Sequence, residues 1–443
     1  MSDNNNSIPK IQRALVLQGG GALGEYQVGV LKVLYDKLIK CNGDGQNGEP
    51  LFDIIAGTSI GAINAAILVS NLINRKKSWK DAITELEKFW TDDKEGLSSN
   101  PDYSKWWWND KNYQNKVASP ETARKYYSVK EYSAHGTPRV CTPPILTEAD
   151  NKFGDQRDNL WFYHKIDPLK KTIMKFSKEE DNEDGLNIAT SWNNRQPRLL
   201  IISVDVSKGI TVTFDSYHKR SGVAKNSSDE YDGITLDHII ASGTLPVFYK
   251  FQKIGERQYC DGGLLSNTPF RELLQAHQDY WFQIIDKDKQ KIPDLEVYIV
   301  NMHPSRQDEI PEDPDGVKDR INDIIYSDRH SRYDENVSNI SIDYTEIIHK
   351  LKDLAKQYIH DDKLDLFQKD FEIFLKKEAK SRSSEFKPRT YKDILTGGFD
   401  LKVIRVENTS YDDSIYGKIA DFTSKSIKDL IKRGSENALR VLD

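Results

Sequence analysis

With 443 residues, 30% of them charged, and a formal net charge of −6, the chain is long enough for a sizeable core but lacks the basic excess of a nucleic-acid binder. Its three cysteines, Cys41, Cys141 and Cys260, show neither CxxC nor CxxH spacing, which argues against a disulfide framework or structural zinc and for a reduced, cytoplasmic setting. The opening MSDNNNSIPK has no basic and apolar signal regions, and no run nears the roughly 18 apolar residues of a membrane span, so membrane contact is expected to be peripheral.

Residues 1–9 read as a disordered lead. Ile11 to Leu17 forms an apolar strand-like run. A glycine turn follows, then a helical pattern from about Gly24 to Lys40, with Tyr26, Val30, Val33, Leu34 and Leu38 on one face. "FDIIAGTSIGAINAAIL" repeats the plan of apolar strand, tight turn and apolar helix. Two such units in succession predict an α/β fold, a mostly parallel sheet sandwiched by helices. Residues 92–197 are looser, charged and aromatic, and are expected to form a cap or lid insertion. Within it Trp106, Trp107 and Trp108 suit either satellite core or an interfacial anchor.

Arg198 to Asp205 and Gly209 to Asp215 read as strands, "GITLDHIIASGTLPVF" as a helix ending in a turn, and "RQYCDGGLLSNTPFRELLQA" as strand, glycine turn and helix. Leu295 to Val300 is a further strand. Residues 311–395 form a highly charged insertion. Helical spacing in Ile347, Ile348, Leu351, Leu354 and Tyr358, and again in Leu364, Phe367, Phe371 and Phe374, predicts a helical hairpin with a solvated face and an oligomer or partner role. Leu401, Val403, Ile404 and Val406 alternate like a strand. With a last helix they predict that residues 396–443 return to a core spanning 10–310.

Two motifs carry chemistry. Gly19, Gly21 and Gly24 satisfy GxGxxG between strand and helix, a ready site for negative charge. A dinucleotide reading also needs an acid at the end of the second strand, about 20 residues on. That strand instead ends in Ala56 and Gly57 and runs into Ser59, while Asp53 stands at its other edge. The second motif is GxSxG, with Gly57 and Gly61 flanking Ser59 where strand meets helix. A sharp turn there projects the hydroxyl at the carboxyl edge of a sheet, a setting for a nucleophile. Its base has two candidates: Asp261, at a strand end before two glycines, and His303, which closes a strand and would complete a Ser-Asp-His order.

Taken together, "LVLQGGGALGEYQVGVL", "GTSIGA", "ASGTLPVF" and "DGGLLSNTP" resemble the patatin-like phospholipases, in that family's order and spacing from about residue 12 to 305. The last strand and helix look like the end of a bacterial-type branch with a C-terminal extension. The resemblance implies a lipid acyl hydrolase working without metal or organic cofactor on lipid or fatty-acyl esters. It implies Ser59 as nucleophile, Asp261 as base and no catalytic role for His303. Gly19, Gly20, Gly21 and Ala22 would form the oxyanion loop, with the last three as N–H donors; Gly262, Gly263 and Pro246 would support the site. An acyltransferase, a lipid-binding module with weak turnover, and a dinucleotide-binding protein are the alternative readings. A free aspartate is a weak base near neutrality, so Asp261 should be desolvated and its pKa raised. Tyr259, Leu264 and Leu265 are expected to line that region, and Ile239 to Phe248 to pack behind the dyad. Glu25 departs from the small residue usual in the family. It would either favour its helix N-terminus or face the cleft and oppose an oxyanion.

Overall fold

The computed structural model describes residues 8–42, 50–100, 120–142, 164–178, 185–217, 232–246, 248–285, 291–308, 310–382, 388–396, 398–409 and 416–443. The Trp106, Trp107 and Trp108 cluster and most of the leading segment lie outside these residues. The chain divides into two compact units, one of residues 15–269, 299–328 and 405–443, the other of residues 1–14, 270–298 and 329–404.

The first half of the chain runs β1 (Ile11–Leu17), a 3-10 turn (Gly21–Gly24), α1 (Glu25–Asn42), β2 (Ile54–Thr58), α2 (Ile60–Ile73), α3 (Trp79–Thr91), α4 (Pro120–His135), α5 (Asp167–Ser177), β3 (Asn187–Ile188), β4 (Arg198–Asp205) and β5 (Ile210–Asp215). It continues through β6 (Ile234–Thr235), α6 (Leu236–Gly243), β7 (Gln252–Ile254), β8 (Arg257–Asp261), α7 (Phe270–Ile284), β9 (Asp294–Asn301) and α8 (Pro314–Tyr326). The remainder comprises α9 (Ser331–Tyr358), α10 (Asp361–Leu375), β10 (Glu378–Arg382), β11 (Pro388–Thr390), α11 (Tyr391–Thr396), β12 (Leu401–Glu407) and α12 (Ser424–Leu442).

The central sheet has the order β12-β9-β1-β2-β4-β8-β7, with β5 also on β4. It is mostly parallel and flanked by helices, as the repeated strand-turn-helix pattern predicts. All eight residues of β4 are buried, and Leu199 to Ile202 form a continuous apolar run rather than an alternating one. The departure from parallel pairing lies beside it: β5 and β8 both run antiparallel to β4, and β7 antiparallel to β8. Parallel pairing aligns Thr58 of β2 with Ile202 of β4, and antiparallel pairing aligns Asp261 of β8 with Ser203 of β4. The chain segments carrying Ser59 and Asp261 thereby arrive at one end of the sheet, on either side of β4.

Helix α2 is buried from Ile60 through Asn71, apolar nearly all round as a core helix must be. Helices α1 and α12 are tied by Asn437 Nδ2, which donates to the Tyr26 hydroxyl at 3.1 Å, and by the Ser435 hydroxyl, which donates to the Gly29 carbonyl at 3.1 Å. In the smaller unit Trp281 Nε1 donates to Gln12 Oε1 at 2.7 Å. Both helices predicted between Ile347 and Phe374 form, as parts of α9 and α10. Phe371 stacks between Phe367 and Phe374, yet Ile347, Leu351, Leu354 and Tyr358 stay exposed.

Candidate active site

Strand β2 ends at Thr58 and α2 begins at Ile60, which leaves Ser59 alone to turn the chain. Its backbone sits at φ 55 and ψ −124, a region that costs a non-glycine residue about 1–3 kcal/mol. Several contacts hold it there. The Ser59 N–H donates to the Ser242 hydroxyl at 2.9 Å, and that hydroxyl donates to the Ile202 carbonyl at 2.5 Å. The Ser59 carbonyl accepts from Ala62 and Ile63 in the first turn of α2. Thr58 Oγ1 donates to the Ser266 carbonyl at 2.9 Å. The flanking glycines are needed for closeness: a Cβ on Gly57 would strike the Gly61 carbonyl, and one on Gly61 would strike the Leu17 carbonyl at the end of β1.

Across β4, Asp261 closes β8 with its side chain 4% exposed. Its Oδ2 accepts from Ser59 Oγ at 2.6 Å and its Oδ1 from the Gly263 N–H at 2.7 Å. Burial raises its pKa from 3.8 to about 6, against the opposing pull of those two hydrogen bonds. At neutral pH the carboxylate is thus mostly ionised yet far more basic than in water. A Cβ on Gly262 would strike the Ile202 carbonyl, so the turn can hug the sheet edge only as glycine. Pro246 belongs to the turn after α6, in which the Phe248 N–H donates to the Leu245 carbonyl at 3.0 Å. Leu245 and Phe248 border the cleft, whereas Pro246 does not.

The glycine run after β1 faces the same place. The Gly19 N–H donates to the Asn267 carbonyl at 3.1 Å, so Gly19 holds the loop rather than offering a donor. Among the described residues no protein acceptor meets the N–H groups of Gly20, Gly21 and Ala22. Gly21 has φ +55, and a Cβ there would strike the Ile419 carbonyl. Polar side chains brace the loop from behind. Asn267 Nδ2 donates to the Gly19 carbonyl at 3.2 Å, and Gln18 Oε1 accepts from the N–H groups of Met302 and His303 at 2.7 and 2.9 Å. Gln27 Nε2 donates to the Gln18 carbonyl, Asn64 Nδ2 to Gln27 Oε1, and Trp90 Nε1 to Asn64 Oδ1. None of Ser242, Gln18, Gln27, Asn64 and Asn267 was singled out from the sequence.

Ser59, Asp261 and the three glycines border a cleft whose walls are chiefly apolar, including Ile60, Ile63, Tyr132, Leu169, Leu245, Phe248 and Phe422. Tyr259 is instead buried against Phe214, with ring centroids 5.3 Å apart. Leu264 and Leu265 are 48% and 50% exposed, because the one-turn helix after Asp261 points them outward. His303 borders the cleft but turns Nδ1 to Asp323 Oδ1 at 3.0 Å; Lys418 bridges Asp323 and Asp319 at 2.8 and 3.1 Å. Burial pushes the His303 pKa down despite Asp323. Glu25 is fully buried and away from the cleft lining, and among the described residues no other residue hydrogen-bonds its carboxyl oxygens. Burial pushes its pKa well up, and Asp421 adds to the push. Glu25 therefore does not face the cleft, while its own backbone N–H at the start of α1 pulls its pKa down against the cost of burial.

No curated protein matches the chain. Among solved structures, VipD from Legionella pneumophila matches at 14% identity and a TM-score of 0.32, over 98% of this chain and 67% of that one. The ExoU–SpcU heterodimer of the Pseudomonas aeruginosa type III secretion system matches at 15% identity and a TM-score of 0.26, over 74% of this chain and 52% of that one. The chain therefore spans about half the length of the latter. The Patatin family model, described as patatin-like phospholipase, matches residues 15–274, a segment that includes both glycine turns, Ser59 and Asp261. The chain belongs to the patatin-like phospholipase family.

Proposed function

We propose that the protein hydrolyses carboxylic esters of lipids through an acyl-enzyme on Ser59, with Asp261 as the only base. The observation that carries this reading is the 2.6 Å hydrogen bond from Ser59 Oγ to Asp261 Oδ2 at the edge of an apolar cleft. Ser59 Oγ attacks the ester carbonyl carbon while its proton passes to Asp261. The oxyanion meets the N–H groups of Gly20, Gly21 and Ala22, where one preorganised donor is worth about 2.7–4 kcal/mol. Collapse breaks the bond to the alcohol, which leaves with the proton from Asp261. A water molecule, losing its proton to Asp261, then attacks the acyl carbonyl and releases the fatty acid, and Ser59 recovers its proton.

The apolar walls suit an acyl chain, as lipid pockets require. Tyr132 and Leu169, from the described part of residues 92–197, contribute to those walls. Among the described residues no helix is long and apolar enough to cross a membrane. In this reading a cytoplasmic enzyme meets its lipid by peripheral contact.

Digestion of a total lipid extract by the parent and by Ser59→Ala tests this. Free fatty acids should appear with the parent alone. Equal release by both proteins would overturn the reading, and acyl chains found on an added alcohol instead of as free acid would make the enzyme a transferase.

A further inference from the structure

Helix α9 of the smaller unit has 28 residues and an apolar pattern that stays exposed. Taking Val337 as position a of a heptad, Tyr344, Leu351 and Tyr358 are the following a positions, and Tyr333, Ile340, Ile347 and Leu354 are the d positions. The steps alternate four and three without a break, and every one of these side chains is between 37% and 77% exposed. The face turned toward the unit is a different one, with Ser338, Ile342, Thr345, Ile348, Lys352 and Ala355 partly covered. A straight helix resting on a globular body follows a 3.6-residue repeat, and a strict 3.5-residue seam drifts about 20° per heptad unless a second helix winds around it. Such a seam kept over three to four heptads is the signature of a coiled coil.

We infer that α9 pairs with α9 of a second copy of this chain, in antiparallel orientation. Charge and layer composition set the direction. Asp343 and Lys350 both occupy g positions and both are exposed. Antiparallel pairing brings g against g, so Asp343 of each copy meets Lys350 of the other, twice per dimer. Parallel pairing would instead set Asp343 beside Ile348 and Lys350 beside Ala355, with no ion pair. The layers agree. Antiparallel register stacks Tyr344 on Ile347, Val337 on Leu354 and Ile340 on Leu351, with tyrosines meeting only at the two ends (Tyr333 on Tyr358), whereas parallel register stacks each tyrosine on itself.

A lipid surface is the poorer occupant. A helix lying in a membrane interface has a broad apolar face and a polar face rich in lysine and arginine. Helix α9 has a narrow seam and carries five acids (Asp334, Glu335, Asp343, Glu346, Asp353) against four bases (Arg332, Lys350, Lys352, Lys356).

Sedimentation of the full chain across the micromolar range tests the pairing. The parent should be a dimer, and Ile347→Asp, on an exposed position with circular dichroism as the folding control, a monomer. Asp343→Lys and Lys350→Asp should each raise the dimer dissociation constant about tenfold, two pairs being lost together. The double variant Asp343→Lys/Lys350→Asp should return to within about twofold of the parent. A monomeric parent, a dimer indifferent to Ile347→Asp, or a double variant as weak as the singles would each overturn the proposal. So would a monomer that floats with phosphatidylcholine–phosphatidylglycerol vesicles and loses them on Ile347→Asp, since that face would then be a lipid-binding one.

Discussion

The two strand-turn-helix segments at β1 and β2 look alike in sequence and do opposite things. After β1 the chain spends three glycines and a 3-10 turn to present backbone N–H groups, with no side chain in the way. After β2 it spends one residue, and that residue is a serine held at φ 55. The first turn is a passive surface for negative charge, braced by polar side chains from several elements. The second is a strained point, held by the first turn of α2 and by the Ser242 hydroxyl. Under the proposed mechanism the same local pattern yields an electrostatic half and a reacting half of one site, and the halves should fail differently when altered.

The reacting half should give the largest effects. Ser59→Ala is expected to lower kcat on a lipid ester by about 10⁴-fold or more, the range seen when a nucleophile is removed. Thermal stability should hold or rise. Asp261→Asn comes next, with a loss of at least about 10²-fold expected in kcat; full activity would transfer the base to a histidine. In the parent, kcat/KM should rise with pH through about 6, the pKa of Asp261. The same shift has a stability cost. Because its folded pKa lies above 3.8, the folded state holds the proton longer, and stability falls as pH rises from about 4 to about 6, by about 3 kcal/mol in all. Urea titrations should therefore find Asp261→Asn more stable than the parent at pH 7 and equal to it near pH 3.

Alanine at one glycine of each turn sharpens the contrast. Gly61→Ala drives a methyl group into the Leu17 carbonyl, part of the backbone of a core strand, and should cost about 3 kcal/mol or more in denaturant titration. Gly20→Ala meets the Met302 methyl at 2.9 Å and the His303 ring at 3.2 Å. The methionine end can give way, so about 1 kcal/mol is expected. Should both substitutions prove equally mild, the distinction between a strained and a passive turn fails.

The smallest effects should come from groups that only support. Ser242→Ala removes the acceptor of the Ser59 N–H and should cost about 1–2 kcal/mol, with kcat falling more than KM changes. Glu25→Gln should leave lipid hydrolysis unchanged, because the carboxyl lies outside the cleft. Its raised pKa makes the parent lose stability as pH climbs above the usual carboxylate range. The variant should accordingly be the more stable protein at pH 8 and indistinguishable at pH 4.

What was legible in the sequence follows from where the geometry is stored. The placement of Ser59 between strand and helix and of Asp261 at a strand end could be read because each turn keeps its requirement in adjacent residues, Gly57 and Gly61 for one and Gly262 and Gly263 for the other. The apolar strand runs and the helices that follow them likewise declared the sheet through local pattern. Ser242 could not be found that way. It sits in an apolar helix and acts on Ser59 from 183 positions along the chain, so nothing near it signals the role. Gln18, Asn64 and Asn267 are similar, ordinary amides until the fold brings them together. For Glu25, helix position fixes where the residue starts, not whether its carboxyl reaches solvent, so its burial was not legible. Leu264 and Leu265 misled because a single helical turn after a buried aspartate reverses which side faces the cleft.

The central claim is that Ser59 is the nucleophile and Asp261 its only base, and covalent trapping addresses it most directly. The full chain treated with a long-chain fluorophosphonate should gain one adduct by intact mass, mapped to Ser59. The rate of labelling should rise with pH through about 6, and neither Ser59→Ala nor Asp261→Asn should label at a comparable rate. Labelling that persists in Ser59→Ala, or that proceeds at the parent's rate in Asp261→Asn, would contradict the account.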